Sequence, residues 1–400
     1  MRSYTAEWIL PIASEPLHRG CITVENGRIV GLDERARPDA IDYGDAAILP
    51  ALVNAHTHLE LSYLRGVIPP SNNFLAWIGG IMAARRAYPD PNDACIVVAA
   101  RAAIAEARSS GTGLVGDISN TLVTAPLLRD AGMHARMFFE LLRFNATDAD
   151  GMVRDARAKA DAVASPDGAV RVSLAPHAPY SVAPSLFQAI SADLDAHPGH
   201  VSSVHLGESS EEVEFVRRGT GPWRDVLQQL SVWTDAWEVP GSSSVEYLDR
   251  LGFLDRRVLA VHGVQCDGGD LDLLRQRGVT LVTCPRSNQY VGVGVPPLEA
   301  FYATQVNVAV GTDSLASVQD LNLFAELAEA RRLAARVPAR ALLESATLRG
   351  AAALGFEEDF GTIDAGKRAS LIAVRTRPGV DDVEEYLVSG ITPVDVTWVS

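Results

Sequence analysis

Eight short apolar runs recur along the chain, and each leads into a side chain that can take part in chemistry. Ala51 to Val53 leads to His56 and His58, Thr112 to Gly116 to Asp117, Ala135 to Phe139 to Glu140, and Val170 to Leu174 to His177. Val201 to Val204 leads to His205, Val258 to Val261 to His262, Val279 to Thr283 to Cys284, and Val306 to Val310 to Asp313. Helix-length stretches fall between them, among them Ala94 to Ala107, Val153 to Ala164, Glu211 to Arg218 and Leu271 to Arg277. Short apolar strands alternating with helices read as βα units around a parallel sheet. Eight such units are what a (β/α)8 TIM-type barrel requires, with its active site at the carboxyl ends of the strands. The interval from Asp117 to Glu140 is short for a unit. After Asp313, Leu321 to Ala335 and Ala339 to Leu354 read as closing helices.

The ends of the chain follow another pattern. Residues 22–32 alternate around Asn26-Gly27, a hairpin signal. Ala369 to Val374 and Val394 to Val399 are strand-like. Two β segments bracketing a barrel imply a composite β-sandwich of residues 1–50 and 362–400, with 51–361 as the barrel. Ile48 to Val53 reads as one strand with Pro50 at its entry.

Net charge of −15 argues against a nucleic-acid surface. The apolar stretch from Ala94 to Ala105 is broken by Arg101 and is too short for a membrane span. No signal peptide is seen at the start. Cys21, Cys95, Cys266 and Cys284 share no C-x-x-C spacing and read as separate reduced thiols in a cytoplasmic protein. The expected partner is a small molecule, with neither nucleic acid nor membrane, and a homo-oligomer is compatible with the sequence.

Residues two apart on a strand point to one face, so His56 and His58 can aim two nitrogens at one divalent ion. Two ordinary polar residues at a strand end are the alternative. Glu208 lies in the loop after His205, where it is either a carboxylate over a site or one acid in the run with Glu211, Glu212 and Glu214. Ser209 and Glu212 have the spacing of a capping box. Asp313 has the right type for an oxygen ligand, or serves as a helix N-cap. No G-x-S-x-G elbow is present for a serine hydrolase.

Taken together, Asn54-Ala55-His56-Thr57-His58, His177-Ala178-Pro179-Tyr180, His205 with Glu208, His262, Cys284-Pro285-Arg286-Ser287-Asn288 and Gly311-Thr312-Asp313-Ser314 resemble the amidohydrolase superfamily. The resemblance extends over nearly the whole chain and is to the cytosine-deaminase-type branch with guanine, S-adenosylhomocysteine and triazine hydrolases. Within it, His58-Leu59-Glu60-Leu61-Ser62 and His205-Leu206-Gly207-Glu208-Ser209 look most like the aminodeoxyfutalosine deaminases of menaquinone biosynthesis.

The resemblance implies a hydrolytic deaminase of an amino-substituted N-heterocycle such as a 6-aminopurine nucleoside. It implies one divalent metal on His56, His58, His205 and Asp313, with zinc first and iron or manganese as alternatives. A binuclear site would need a strand-four lysine, but that strand ends at His177 and the only lysines are Lys159 and Lys367. Glu208 would shuttle a proton from water to a ring nitrogen, Asp313 would assist, and His262 would stabilise the tetrahedral centre. His177, Arg286, Ser287, Asn288 and Arg143 would meet the substrate. The alternatives are a related hydrolase expelling chloride or opening a cyclic amide, and a metal-binding barrel without catalysis.

Overall fold

The computed structural model describes residues 1–399 and shows an α/β fold with parallel-strand sheets. All eight expected strands form. The first four, Leu52–Thr57, Thr112–Ser119, His134–Leu141 and Val170–Pro176, make one four-stranded parallel sheet. The other four, Ser202–Leu206, Val258–His262, Thr280–Thr283 and Asn307–Val310, make a second. Two seams join these sheets. At one, the His205 amide donates to the His177 carbonyl at 2.9 Å. At the other, the Asp313 amide donates to the His56 carbonyl at 3.0 Å, and the Asn54 side chain bonds both the hydroxyl and the amide of Thr312. One apolar cluster draws Val53, Leu114, Phe138, Ala175, Leu259, Val282 and Ala309 from both sheets.

Two sequence expectations need correction. The apolar run around Pro50 is two strands, not one. Ala46–Pro50 pairs antiparallel with Leu371–Arg375, and Leu52–Thr57 enters the parallel sheet after Ala51. Pro50 has no N–H to continue a ladder, which suits the last position of a strand. The stretch from Ala339 to Leu354 is likewise two helices, Ala339–Ser345 and Leu348–Ala353. The Thr347 hydroxyl between them bonds the Leu343 carbonyl at 2.6 Å, a local competitor of helical geometry. The short second unit is filled by a seven-residue helix, Thr124–Asp130.

Both termini contribute to two further sheets. Arg2–Thr5, Cys21–Glu25, Arg28–Asp33 and Ile41–Asp42 form a four-stranded sheet. Its hairpin turns at Asn26-Gly27, both with positive φ, as a two-residue turn of this kind demands. Trp8–Ile9, Leu17–His18 and Ala46–Pro50 join Leu371–Arg375 and Val396–Trp398 in a five-stranded sheet. Tyr4, Ile22 and Ile29 from one sheet pack with Ile9, Ile48 and Leu371 from the other. Among the described residues all four cysteines are unpaired, and no helix is long and apolar enough to cross a membrane.

Candidate active site

His56 and His58 reach their common face through an irregularity. Val53 and Ala55 belong to the apolar cluster shared by the sheets. Strict alternation would turn the even-numbered residues away from it. The pairing with the second strand shifts register between Asn54 and Thr57, and such a bulge re-aims the side chains beyond it. His262 and Asp313 are aimed by the backbone in another way, with φ of 83° and 61°. Non-glycine residues seldom adopt this region, and where they do the site is often functional.

Nitrogens of His56, His58 and His205 lie within 4.8 Å of one another. Asp313 Oδ1 is 3.6 Å from His56 Nε2 and 3.4 Å from His58 Nε2. Two ligand atoms about 2.1 Å from a tetrahedral ion stand about 3.4 Å apart, so these separations fit a shared divalent ion. His56 is fully buried with neither ring nitrogen hydrogen-bonded. That is costly unless something binds there. Burial, reinforced by His56, takes the His58 pKa down to about 3, which leaves a neutral ring with a lone pair for a cation. His205 Nδ1 lies 3.0 Å from the His177 carbonyl. Donation to that carbonyl puts the proton on Nδ1 and leaves Nε2 free as a ligand. The second Asp313 oxygen accepts the hydroxyls of Ser287 at 2.5 Å and Ser317 at 3.1 Å. The donor set therefore fits one divalent metal. Glu140, His177 and His205 form another close trio, but there the His205 Nδ1 is already committed to the carbonyl.

Beside this cluster, Glu208 Oε1 lies 3.6 Å from His262 Nε2. Burial, with Asp313 and Glu212 nearby, pushes the Glu208 carboxyl well above the usual range. Burial also takes His262 well below its ordinary value, so its ring is neutral. Asn288 Nδ2 is 2.9 Å from His262 Nδ1. With the amide donating, Nδ1 accepts and the ring proton sits on Nε2, facing Glu208.

The residues expected to meet the substrate divide. His177 is held by Ser181 at 2.7 Å and has its ring 4.9 Å from that of His205. Asn288 is fully buried and orients His262 through Nδ2, while its Oδ1 has no hydrogen-bond partner. Arg286 is paired with an acid. Its guanidinium bonds Asp320 at 2.9 Å, which compensates its charge, and lies 3.6 Å from the buried Glu326. Arg143 is exposed just after the third strand, and its backbone bridges Val182. Among the described residues no acid pairs with it.

Sequence reasoning placed Glu140 at a strand end and Glu212 at a helix start but gave neither a role in the site. Glu140 closes the third strand, is buried, and lies 3.5 Å from His205 Nδ1, with Asn120 donating to it at 2.8 Å. Burial alone would raise its carboxyl, but the imidazoles of His177 and His205 outweigh that and hold it at about 2. Its place at a strand end was the available signal. Glu212 was expected to close a capping box. The Ser209 hydroxyl does accept the Glu212 amide at 3.3 Å, but the Glu212 carboxylate reaches past Ser209 to the amides of Gly207 and Glu208.

The sequence model of the amidohydrolase family matches residues 47–399. A 5-methylthioadenosine/S-adenosylhomocysteine deaminase of Moorella thermoacetica is 30% identical over 98% of this chain and 90% of its own. An aminodeoxyfutalosine deaminase of Deinococcus radiodurans is 32% identical over 79% of this chain and 75% of its own. Among solved structures, an adenosine deaminase from Xanthomonas campestris with bound zinc is 28% identical and superposes with a TM-score of 0.83. It covers 99% of this chain and 90% of its own. An aminofutalosine deaminase of Helicobacter pylori, 23% identical, shares the fold with a TM-score of 0.84, covering 100% and 97%.

Proposed function

From the premise that the chain belongs to the amidohydrolase family, we propose that it is a metal-dependent hydrolytic deaminase of an adenosine-like nucleoside, with aminodeoxyfutalosine as its substrate. The observation that carries this reading is the imidazole trio closed by Asp313, with the Glu208–His262 pair beside it. We read the two parallel sheets, within residues 51–361, as one closed (β/α)8 barrel. The hydrogen bonds across both seams support this. Residues 1–50 and 362–400, of which Ser400 lies outside the described residues, are read as the composite β-sandwich, supported by the apolar cluster its two sheets share.

His56, His58, His205 and Asp313 would hold one ion per chain, zinc first, with iron and manganese as alternatives. When bound, such an ion lowers the pKa of a water at the site and makes it a nucleophile near neutral pH. Glu208 takes a proton from the water that attacks the amino-bearing ring carbon and passes it to a ring nitrogen. His262 donates from Nε2 to the oxygen as charge develops on it. Asp313 assists the remaining proton to the amino group, which leaves as ammonia.

His177 meets the substrate from the fourth strand. Arg143, exposed after the third strand and paired with no acid among the described residues, would hold a carboxylate at the far end of the nucleoside through a charge-assisted hydrogen bond. The second reading is a methylthioadenosine or S-adenosylhomocysteine deaminase, favoured by the relative that spans nearly the whole chain. The four unpaired thiols suit a cytoplasmic location. Ammonia release from adenosine, 5′-methylthioadenosine, S-adenosylhomocysteine and aminodeoxyfutalosine tests the proposal, with guanine and a triazine as controls. The highest kcat/KM belongs to aminodeoxyfutalosine. Brisk turnover of guanine or the triazine with none of the nucleosides would overturn it.

A further inference from the structure

Glu212 is a buried carboxylate that the reaction as described does not use. It sits on the helix Ser210–Arg218 with no solvent exposure. One oxygen accepts the Gly207 amide at 2.8 Å and the other the Glu208 amide at 3.1 Å. Two successive amides turned to one side form a concave anion site, of the kind loops use to bind phosphate. Here the anion comes from the chain itself.

The same turn is gripped from its other side. The Gly263 amide donates to the Leu206 carbonyl at 3.0 Å, and the Gln265 amide to the Gly207 carbonyl at 2.7 Å. Gly207 has a φ of 63°, and a Cβ there would lie 3.0 Å from Cys266 Sγ. The turn thus has little freedom while both grips hold. Its conformation sets where the Glu208 side chain leaves the backbone, and the carboxyl at the end of that side chain lies 3.6 Å from His262 Nε2.

We propose that Glu212 is a positioning residue for the deamination, fixing Glu208 through the paired amides of Gly207 and Glu208. This rests on Glu208 being the proton shuttle. Replacing Glu212 by Gln keeps one acceptor but sets an amide N–H₂ against the second backbone N–H. One buried donor is then unmatched and the turn must rotate.

The test is a double-mutant cycle on adenosine or aminodeoxyfutalosine turnover. Glu212→Gln lowers kcat about ten- to a hundred-fold with KM within about twofold, because the lost function belongs to the chemical step. In a Glu208→Gln background the same change costs nothing further, since there is no shuttle left to aim. Ser209→Ala, which loosens the same helix end, leaves kcat near wild type. Full kcat in Glu212→Gln overturns the proposal, and so does an equal further loss in the Glu208→Gln background, which marks general destabilisation. If Glu212→Gln does not fold, Gly207→Ala perturbs the same turn and is read by the same cycle. Should Glu208→Gln itself keep normal turnover, the shuttle reading fails first, and the single variant shows that directly.

Discussion

Replacing Asn288 by Asp isolates the contribution of the His262 proton. In the wild type Asn288 Nδ2 donates to His262 Nδ1 at 2.9 Å, so the ring proton sits on Nε2 and faces the site. A carboxylate at position 288 can only accept. It would pull the ring proton to Nδ1 and leave a lone pair on Nε2, 3.6 Å from the Glu208 carboxyl. A donor aimed at the developing oxygen thereby becomes an acceptor. Loss of one such donor costs about 2.7–4 kcal/mol, or roughly 10²–10³ in kcat. The geometry changes little, because Asn and Asp have the same shape, so KM should hold within about threefold. The assay is ammonia release under saturating nucleoside, with the tautomer read independently from the ¹⁵N shifts of His262. A kcat within about threefold of wild type, with the proton shown on Nδ1, would refute the role given to His262.

Three further outcomes follow from the same geometry. Ser287→Ala removes the 2.5 Å bond to Asp313 and should weaken metal retention against a chelator about 10–100-fold, with unchanged retention meaning that Ser317 alone suffices. Burial lifts the Glu326 carboxyl to about 8, against the pull of Arg286 and with Asp320 and Asp313 adding to the rise. The folded chain therefore holds a proton there that the unfolded chain, near the ordinary 4.5, does not, so stability falls as pH rises from about 4.5 to 8. Glu326→Gln should flatten that part of the Tm profile and raise Tm at pH 8, and an unchanged slope would count against it. Arg143→Ala should lower kcat/KM for a carboxylate-bearing nucleoside about ten- to a hundred-fold and leave adenosine nearly unchanged, whereas equal losses on both would make the arginine structural.

Much of this arrangement could be read before the structure. The eight strands and the side chains at their ends followed from apolar runs and alternation, because a parallel sheet covered on both faces leaves that signature in the chain. The roles in Pro285–Val291 did not. Successive residues on a helix turn by about 100°, so neighbours in sequence face different surroundings. Ser287 meets Asp313 and Asn288 meets His262, while Arg286 meets Asp320. Nothing local says which of the three faces the site. The bulge that aims His56 and the positive φ of His262 and Asp313 were equally hidden, since each depends on pairing with distant strands. The Ser209–Glu212 spacing marked the helix start correctly but not the destination of the Glu212 carboxylate, which the fold of the Gly207 turn decides.

The most direct test strips the protein with a chelator, returns metal stepwise, and follows both metal content and ammonia release from aminodeoxyfutalosine. Activity that is absent in the stripped protein and rises to a plateau at one zinc, iron or manganese per chain is the predicted result. Full turnover in the metal-free protein, or a plateau reached only at two ions per chain, would contradict a single site on His56, His58, His205 and Asp313.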